Sequence, residues 1–296
     1  MRLYEDHGSP DCRSPVYALA FAPDGALLVS GSRDGTAIVR DAAGQSLPLF
    51  EPGPKPAAIH ALAFLPDGAI VVGHERGWDQ YRWVADVWQL FGASSASPIA
   101  SLAVLDDTTL AVGNGERLHA SVGSFELFDL KAERRREPFF REPNGVRAVA
   151  ACPAKLLVAW ATGHKELKVW DVRRQTPLRF PATHTSPAIA LASDGSALVA
   201  AQDWSARIFD LSLKQERAFL KGHKGIVSSV AFSPDASTVA TGSWDRTVRL
   251  WDAATGREVA SYQWPIGKVT ALVYAPDGLR LAAGGDEGTV VVWDVD

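Results

Sequence analysis

Short apolar and β-branched runs recur along the chain, separated by polar turn residues. "VSSVAF" (227–232), "STVATGS" (237–243) and "TVRLWD" (247–252) are typical. Runs of this length are too short for helices and predict strands. A turn signal precedes the second run of each group: "APDG" at Asp24, "LPDG" at Asp67, "LDDT" at Asp107, "CPAK" at Ala154, "ASDG" at Asp194, "SPDA" at Asp235 and "APDG" at Asp277. Proline presets φ in such turns and glycine accepts a positive φ. Each group therefore reads as a four-stranded antiparallel meander.

The groups are evenly spaced. Aligning Asp41, Val84, Asp129, Asp171, Asp210, Asp252 and Asp294 gives steps of 43, 45, 42, 39, 42 and 42 residues, which is seven copies of one unit. With "GH" at Gly222 and His223, then "SPD" and "TGSWDRTVRLWD", the sixth copy resembles the WD40-repeat family of β-propellers, and the resemblance covers essentially the whole chain. It implies an all-β, seven-bladed propeller of four-stranded antiparallel blades, a single domain over residues 1–296. The chain ends after the third strand of the seventh unit, so residues 1–6, "MRLYED", are expected to supply its outer strand and close the ring, as in a complete propeller. The Trp of the repeat corresponds to Arg40, Phe128, Trp170, Phe209, Trp251 and Trp293. In the second unit Trp83 and Trp88 compete for it, and Trp83 fits the 16-residue spacing from the turn aspartate.

His223, Ser243 and Asp245 are the three residue types of a hydrolytic triad. The resemblance instead implies a structural hydrogen-bonded chain of His223, Ser243, Asp245 and Trp251 inside one blade, where each buried polar group satisfies the next. The set erodes from unit to unit, as a framework would: Ser32, Asp34 and Arg40 in the first, Ala201, Asp203 and Phe209 in the fifth, Gly285, Glu287 and Trp293 in the seventh.

Composition narrows the function. A net charge of −4 with mixed signs lacks the basic bias of a nucleic-acid binder, so no nucleic-acid partner is expected. No apolar run approaches a membrane span, and the two cysteines, Cys12 and Cys152, form no disulfide framework; a cytoplasmic protein is expected. His60 and His184 have no spaced partners, so neither metal nor cofactor is assigned.

Loops at one end of the strands, here the top, are the expected binding surface. Arg33, Arg76, Trp78, Trp204 and Trp244 fall in or beside its turns, and a five-residue insertion in the third unit adds Glu116, Arg117 and His119. An aromatic and arginine rim has the composition of protein-binding hot spots. Arg134, Arg135, Arg136, Arg141, Arg173 and Arg174 gather at the opposite edge, where a solvated charged loop is the favoured reading. The expected function is a non-catalytic scaffold that holds a protein or peptide, within a multi-protein complex in one version. The alternative is a propeller enzyme with its site at the central channel, to which the inner strands offer only His60 and Arg147.

Overall fold

Strand follows turn in one repeating order because the turn aspartates act locally. The carboxylates of Asp24, Asp67, Asp106, Asp194, Asp235 and Asp277 each accept the backbone N–H two residues on, at 2.9–3.1 Å, fixing the turn between first and second strands. In the third unit this role falls to Asp106, one residue before the expected Asp107. Aspartates that end three of the third strands do the same for the next turn: Asp129 accepts from Lys131 and Ala132, Asp210 from Ser212 and Leu213, and Asp252 from Ala254 and Thr255.

The computed structural model describes residues 1–5, 7–9, 12–50, 56–94, 97–115, 122–163, 166–179 and 187–295. They form seven four-stranded antiparallel sheets and a small hairpin of Gly8–Ser9 with Cys12–Arg13. The inner strands of blades 1 to 7 are Val16–Phe21, Ile59–Phe64, Ile99–Val104, Val146–Cys152, Ile189–Leu191, Val227–Phe232 and Val269–Tyr274. They line one central channel. Arg2–Glu5 pairs antiparallel with Thr289–Asp294, Arg2 opposite Val292 and Glu5 opposite Thr289, so the chain's two ends share blade 7.

The apolar interior is divided among seven clusters, each between adjacent blades, including one of Val16 and Leu28 with Ala282 and Val290 that joins blade 1 to blade 7. Close approach of neighbouring blades requires small residues on the second strands. A β-carbon at Gly242 would lie 2.5 Å from Val269, and one at Gly113 would lie 2.6 Å from Val146.

Blade 2 departs from the spacing argument. Its register sets Ile70 opposite Tyr81, as Val239 stands opposite Trp251 in blade 6, so Tyr81 holds the Trp position and neither Trp83 nor Trp88 does. Tyr81 is buried and stacks on Phe50, with ring centroids 5.2 Å apart. The cause is a shift of two residues between turns. The top turn contracts by one residue to Glu75–Arg76, and Ile70 follows Asp67 by three residues where Val239 follows Asp235 by four. The hairpin at the other end lengthens to Trp83 opposite Trp88, turning through Ala85 and Asp86 with φ of 49° and 63°.

Candidate functional site

In blade 6 a relay runs from the buried indole to the top turn. Trp251 donates Nε1–H to Thr241 Oγ1 at 2.8 Å, and Thr241 Oγ1 lies 2.7 Å from His223 Nε2. His223 Nδ1 lies 2.9 Å from Asp245, whose carboxylate also accepts from the Thr247 hydroxyl at 2.6 Å and the Lys224 amide at 2.8 Å. The central hydroxyl is thus Thr241, where Ser243 was expected. Residues alternate faces along a strand, and Ser243 lies two beyond Thr241 on the same face but at the turn, where its Oγ accepts the Asp245 amide at 3.1 Å. Burial holds His223 below the ordinary histidine value against the pull of Asp245. Burial would raise Asp245, but its donors Thr247, Lys224 and His223 outweigh that and bring it down to about 2. These are also the bonds of a hydrolytic triad, but the hydroxyl that meets His223 is Thr241, which is 0% exposed and accepts the Trp251 indole. The expected Ser243 is 0% exposed and turned to the Asp245 amide, so neither is open to a substrate.

Blade 1 carries a second relay that the sequence did not disclose. Arg40, 2% exposed in the Trp position, donates to Ser30 Oγ at 3.2 Å; Ser30 Oγ lies 2.8 Å from His7 Nε2; His7 Nδ1 lies 2.6 Å from Thr36, whose hydroxyl donates to Asp34. His7 stands nine residues before the inner strand rather than four, because the hairpin Gly8–Ser9/Cys12–Arg13 intervenes. Burial pushes His7 down to about 4 against the pull of Asp34, and burial likewise lowers Arg40 to about 10.

In blade 4 the histidine slot holds Glu142, four residues before Val146 as His223 is four before Val227. Its side chain is fully buried and accepts from Trp160 Nε1 at 2.7 Å and from Lys168 Nζ at 2.8 and 3.0 Å. In blade 7 the slot is filled by rings, Tyr262, Trp264 and Trp293, with centroids 5.7–6.2 Å apart.

The expected top-face residues divide. Trp204 and Trp244 stand on the top turns of adjacent blades, 61% and 45% exposed, with the Lys268 ammonium 5.2 Å from the centroid of the Trp244 ring. Arg33 and Arg76 are exposed on the same end. Trp78 is not a rim residue. The shortened turn draws it into the third strand Gly77–Val84, where it is 7% exposed and meets Phe128 edge-on at 5.2 Å. Glu116, Arg117 and His119 lie outside the described residues. On the opposite edge, Arg135 pairs with buried Glu126 at 2.7 Å, Arg136 donates to Thr109 and Arg174 pairs with Asp171, so these charges are tied to the fold.

The channel is walled largely by alanine, leucine and hydroxyl side chains, with Tyr17 stacked on His60 at 5.6 Å and Arg147 on blade 4. Its described lining holds no carboxylate. No group of three or more His, Cys, Asp or Glu among the described residues could hold a metal, and no helix there is long and apolar enough to cross a membrane.

Comparison with known proteins matches this geometry. The family model "WD domain, G-beta repeat" fits residues 2–41, 214–252 and 256–294, the units that contain the blade 1 and blade 6 Trp positions and the closing strand. These three segments match the WD40 repeat, and the described residues fold as a seven-bladed β-propeller. A segment of 138 residues, 45% of the propeller chain, is 24% identical to WD repeat-containing protein 36 of Homo sapiens and spans only 15% of that protein. The solved structure of U3-55K shares the fold, with a TM-score of 0.83 at 19% identity over 99% of this chain and 98% of that one. WD40 propellers are generally protein-interaction scaffolds and typically non-catalytic.

Proposed function

We propose that this propeller is a non-catalytic scaffold that receives a protein or peptide partner on its top face, centred on Trp204 and Trp244. The observation that carries the reading is the pair of tryptophans left open on neighbouring turns, 61% and 45% exposed, in a chain that buries Trp78, Trp160, Trp251 and Trp293. A large ring held in water on a rigid turn loses little conformational freedom when a partner covers it, which is why tryptophan is enriched among interface anchors. Arg33 and Arg76 add hydrogen-bond donors on the same face, and the Lys268 ammonium lies over the Trp244 ring.

The rigid base beneath these turns supports the same reading. Asp245, next to Trp244, is clamped by four donors, so the turn is held in one shape before a partner arrives. Capture of partners from the native cell, followed by titration against Trp204→Ala and Trp244→Ala, tests the proposal. Each substitution should weaken the captured partner by roughly thirtyfold at an unchanged melting temperature. Unchanged affinity in both variants would remove the top face from consideration.

A further inference from the structure

Six outer strands carry a charge or a proline: Arg2–Glu5, Ser46–Pro48, Arg134–Pro143, Thr176–Arg179, Gln215–Lys221 and Glu258–Gln263. These are the devices by which an edge avoids pairing with another chain. The outer strand of blade 2, Val87–Ser94, reads "VWQLFGAS" and has neither; a bulge at Phe91 leaves Val87–Leu90 as its regular stretch. It is also among the longest edges, and Val87, Leu90 and Phe91 stand 50%, 59% and 65% exposed along it.

The apolar surface continues onto the preceding strand, where Trp83 and Val84 are each 46% exposed. It then runs into a cleft of about 830 Å³ between blades 1 and 2, walled by Leu27, Val39, Leu47, Trp83 and Trp88. The cleft exists because the outer strand of blade 1 is only three residues long, while its neighbour extends for eight. The short strand leaves the long hairpin uncovered.

We propose that this edge is a homodimer interface, in which Val87–Leu90, the stretch before the bulge, pairs antiparallel with the same stretch of a second copy. Two observations favour a second copy as occupant. A strand without charges meets itself across a twofold axis with no like-charge repulsion, whereas the arginine-rich strand Arg134–Pro143 would not. The area on offer also matches: Trp83, Val84, Val87, Leu90 and Phe91 together present on the order of 500 Å² per copy at these exposures, so a symmetric contact that covered the patch would remove up to roughly 1,000 Å², the threshold of a specific interface. The two blades become one eight-stranded sheet, and each copy's Leu90 and Phe91 leave water. The top turns with Trp204 and Trp244 belong to blades 5 and 6, so the dimer leaves them open.

Sedimentation velocity of the full chain between about 1 and about 100 μM, the range that brackets ordinary dimer affinities, tests this. The unaltered protein should pass from monomer to a discrete dimer. Leu90→Lys, or Val87→Lys should the first variant fold poorly, should weaken the dimer at least roughly tenfold. Val259→Lys, at a 62% exposed site on the blade 6 outer strand, should leave it unchanged. Hydrogen exchange at the amides of Val87 to Leu90 should slow as concentration rises. A monomer throughout the range, a Leu90→Lys dimer as tight as the original, or open-ended assembly without a dimer would overturn the proposal.

Discussion

Replacing His7 with alanine tests the blade 1 relay in two independent ways. The imidazole is 3% exposed and joins Ser30 at 2.8 Å to Thr36 at 2.6 Å. Alanine removes both hydrogen bonds, leaves the buried Ser30 hydroxyl and the Thr36 hydroxyl each one partner short, and opens a cavity the size of the ring. Such losses together cost about 2–4 kcal/mol, or roughly 4–10 °C in Tm for a chain this long. The pH dependence supplies the second test. The folded value of about 4 lies below the unfolded value of about 6.5, so the folded state binds fewer protons between them. The stability from neutral His7 is therefore fully present above pH 6.5 and drains as pH falls toward 4. At pH 4.5 the unaltered protein should have lost about 2–3 kcal/mol on this account, and the variant none of it. The stability gap between the two proteins, followed by circular dichroism melting, should narrow from pH 7 to pH 4.5. A gap that stays constant, or no gap at pH 7, would refute the relay.

Other perturbations follow from the same geometry. Thr241→Val leaves His223 and Trp251 without their shared hydroxyl and should cost about 2–3 kcal/mol by thermal melting, while Ser243→Ala should cost less than about 1 kcal/mol. Glu142→Leu takes the acceptor from the buried Trp160 indole and leaves Lys168 with Glu166, and should destabilise by about 1–3 kcal/mol, measured in urea. Deleting Met1 to Asp6 exposes the edge of Thr289–Asp294 and should lower the melting temperature.

Much of the fold was legible because its signals are local. Turn aspartates, Pro-Asp-Gly segments and a period near 42 residues each fix a neighbouring backbone, and no long-range contact is needed to read them. The register of the third strands was less legible. Counting from the turn aspartate to the Trp position sums the end of one turn, two strands and the top turn between them, and both turns vary: Trp244–Arg246 has three residues, Glu75–Arg76 and Asp203–Trp204 have two, and Ile70 follows Asp67 by three residues where Val239 follows Asp235 by four. That sum could not separate Tyr81 from Trp83, and it placed Trp78 on the rim when pairing carries it into the sheet. His7 and Glu142 escaped for a different reason. Each completes a blade from outside its repeat, and only the folded chain brings Glu142 to Trp160 or His7 to Ser30. The exchange of Ser243 for Thr241 reflects strand alternation: both residues lie on one face, and the position of the indole decides which of them it meets.

We propose the top turns of blades 5 and 6 as the docking site. Binding of a captured partner, measured by calorimetry against Trp204→Ala combined with Trp244→Ala and against Arg135→Ala combined with Arg136→Ala, tests it directly. The tryptophan pair should weaken binding by at least roughly thirtyfold with Tm unchanged, and the arginine pair should change it by less than about threefold. Full affinity in the tryptophan variant, with loss in the arginine variant, would contradict the account and move the site to the lower edge.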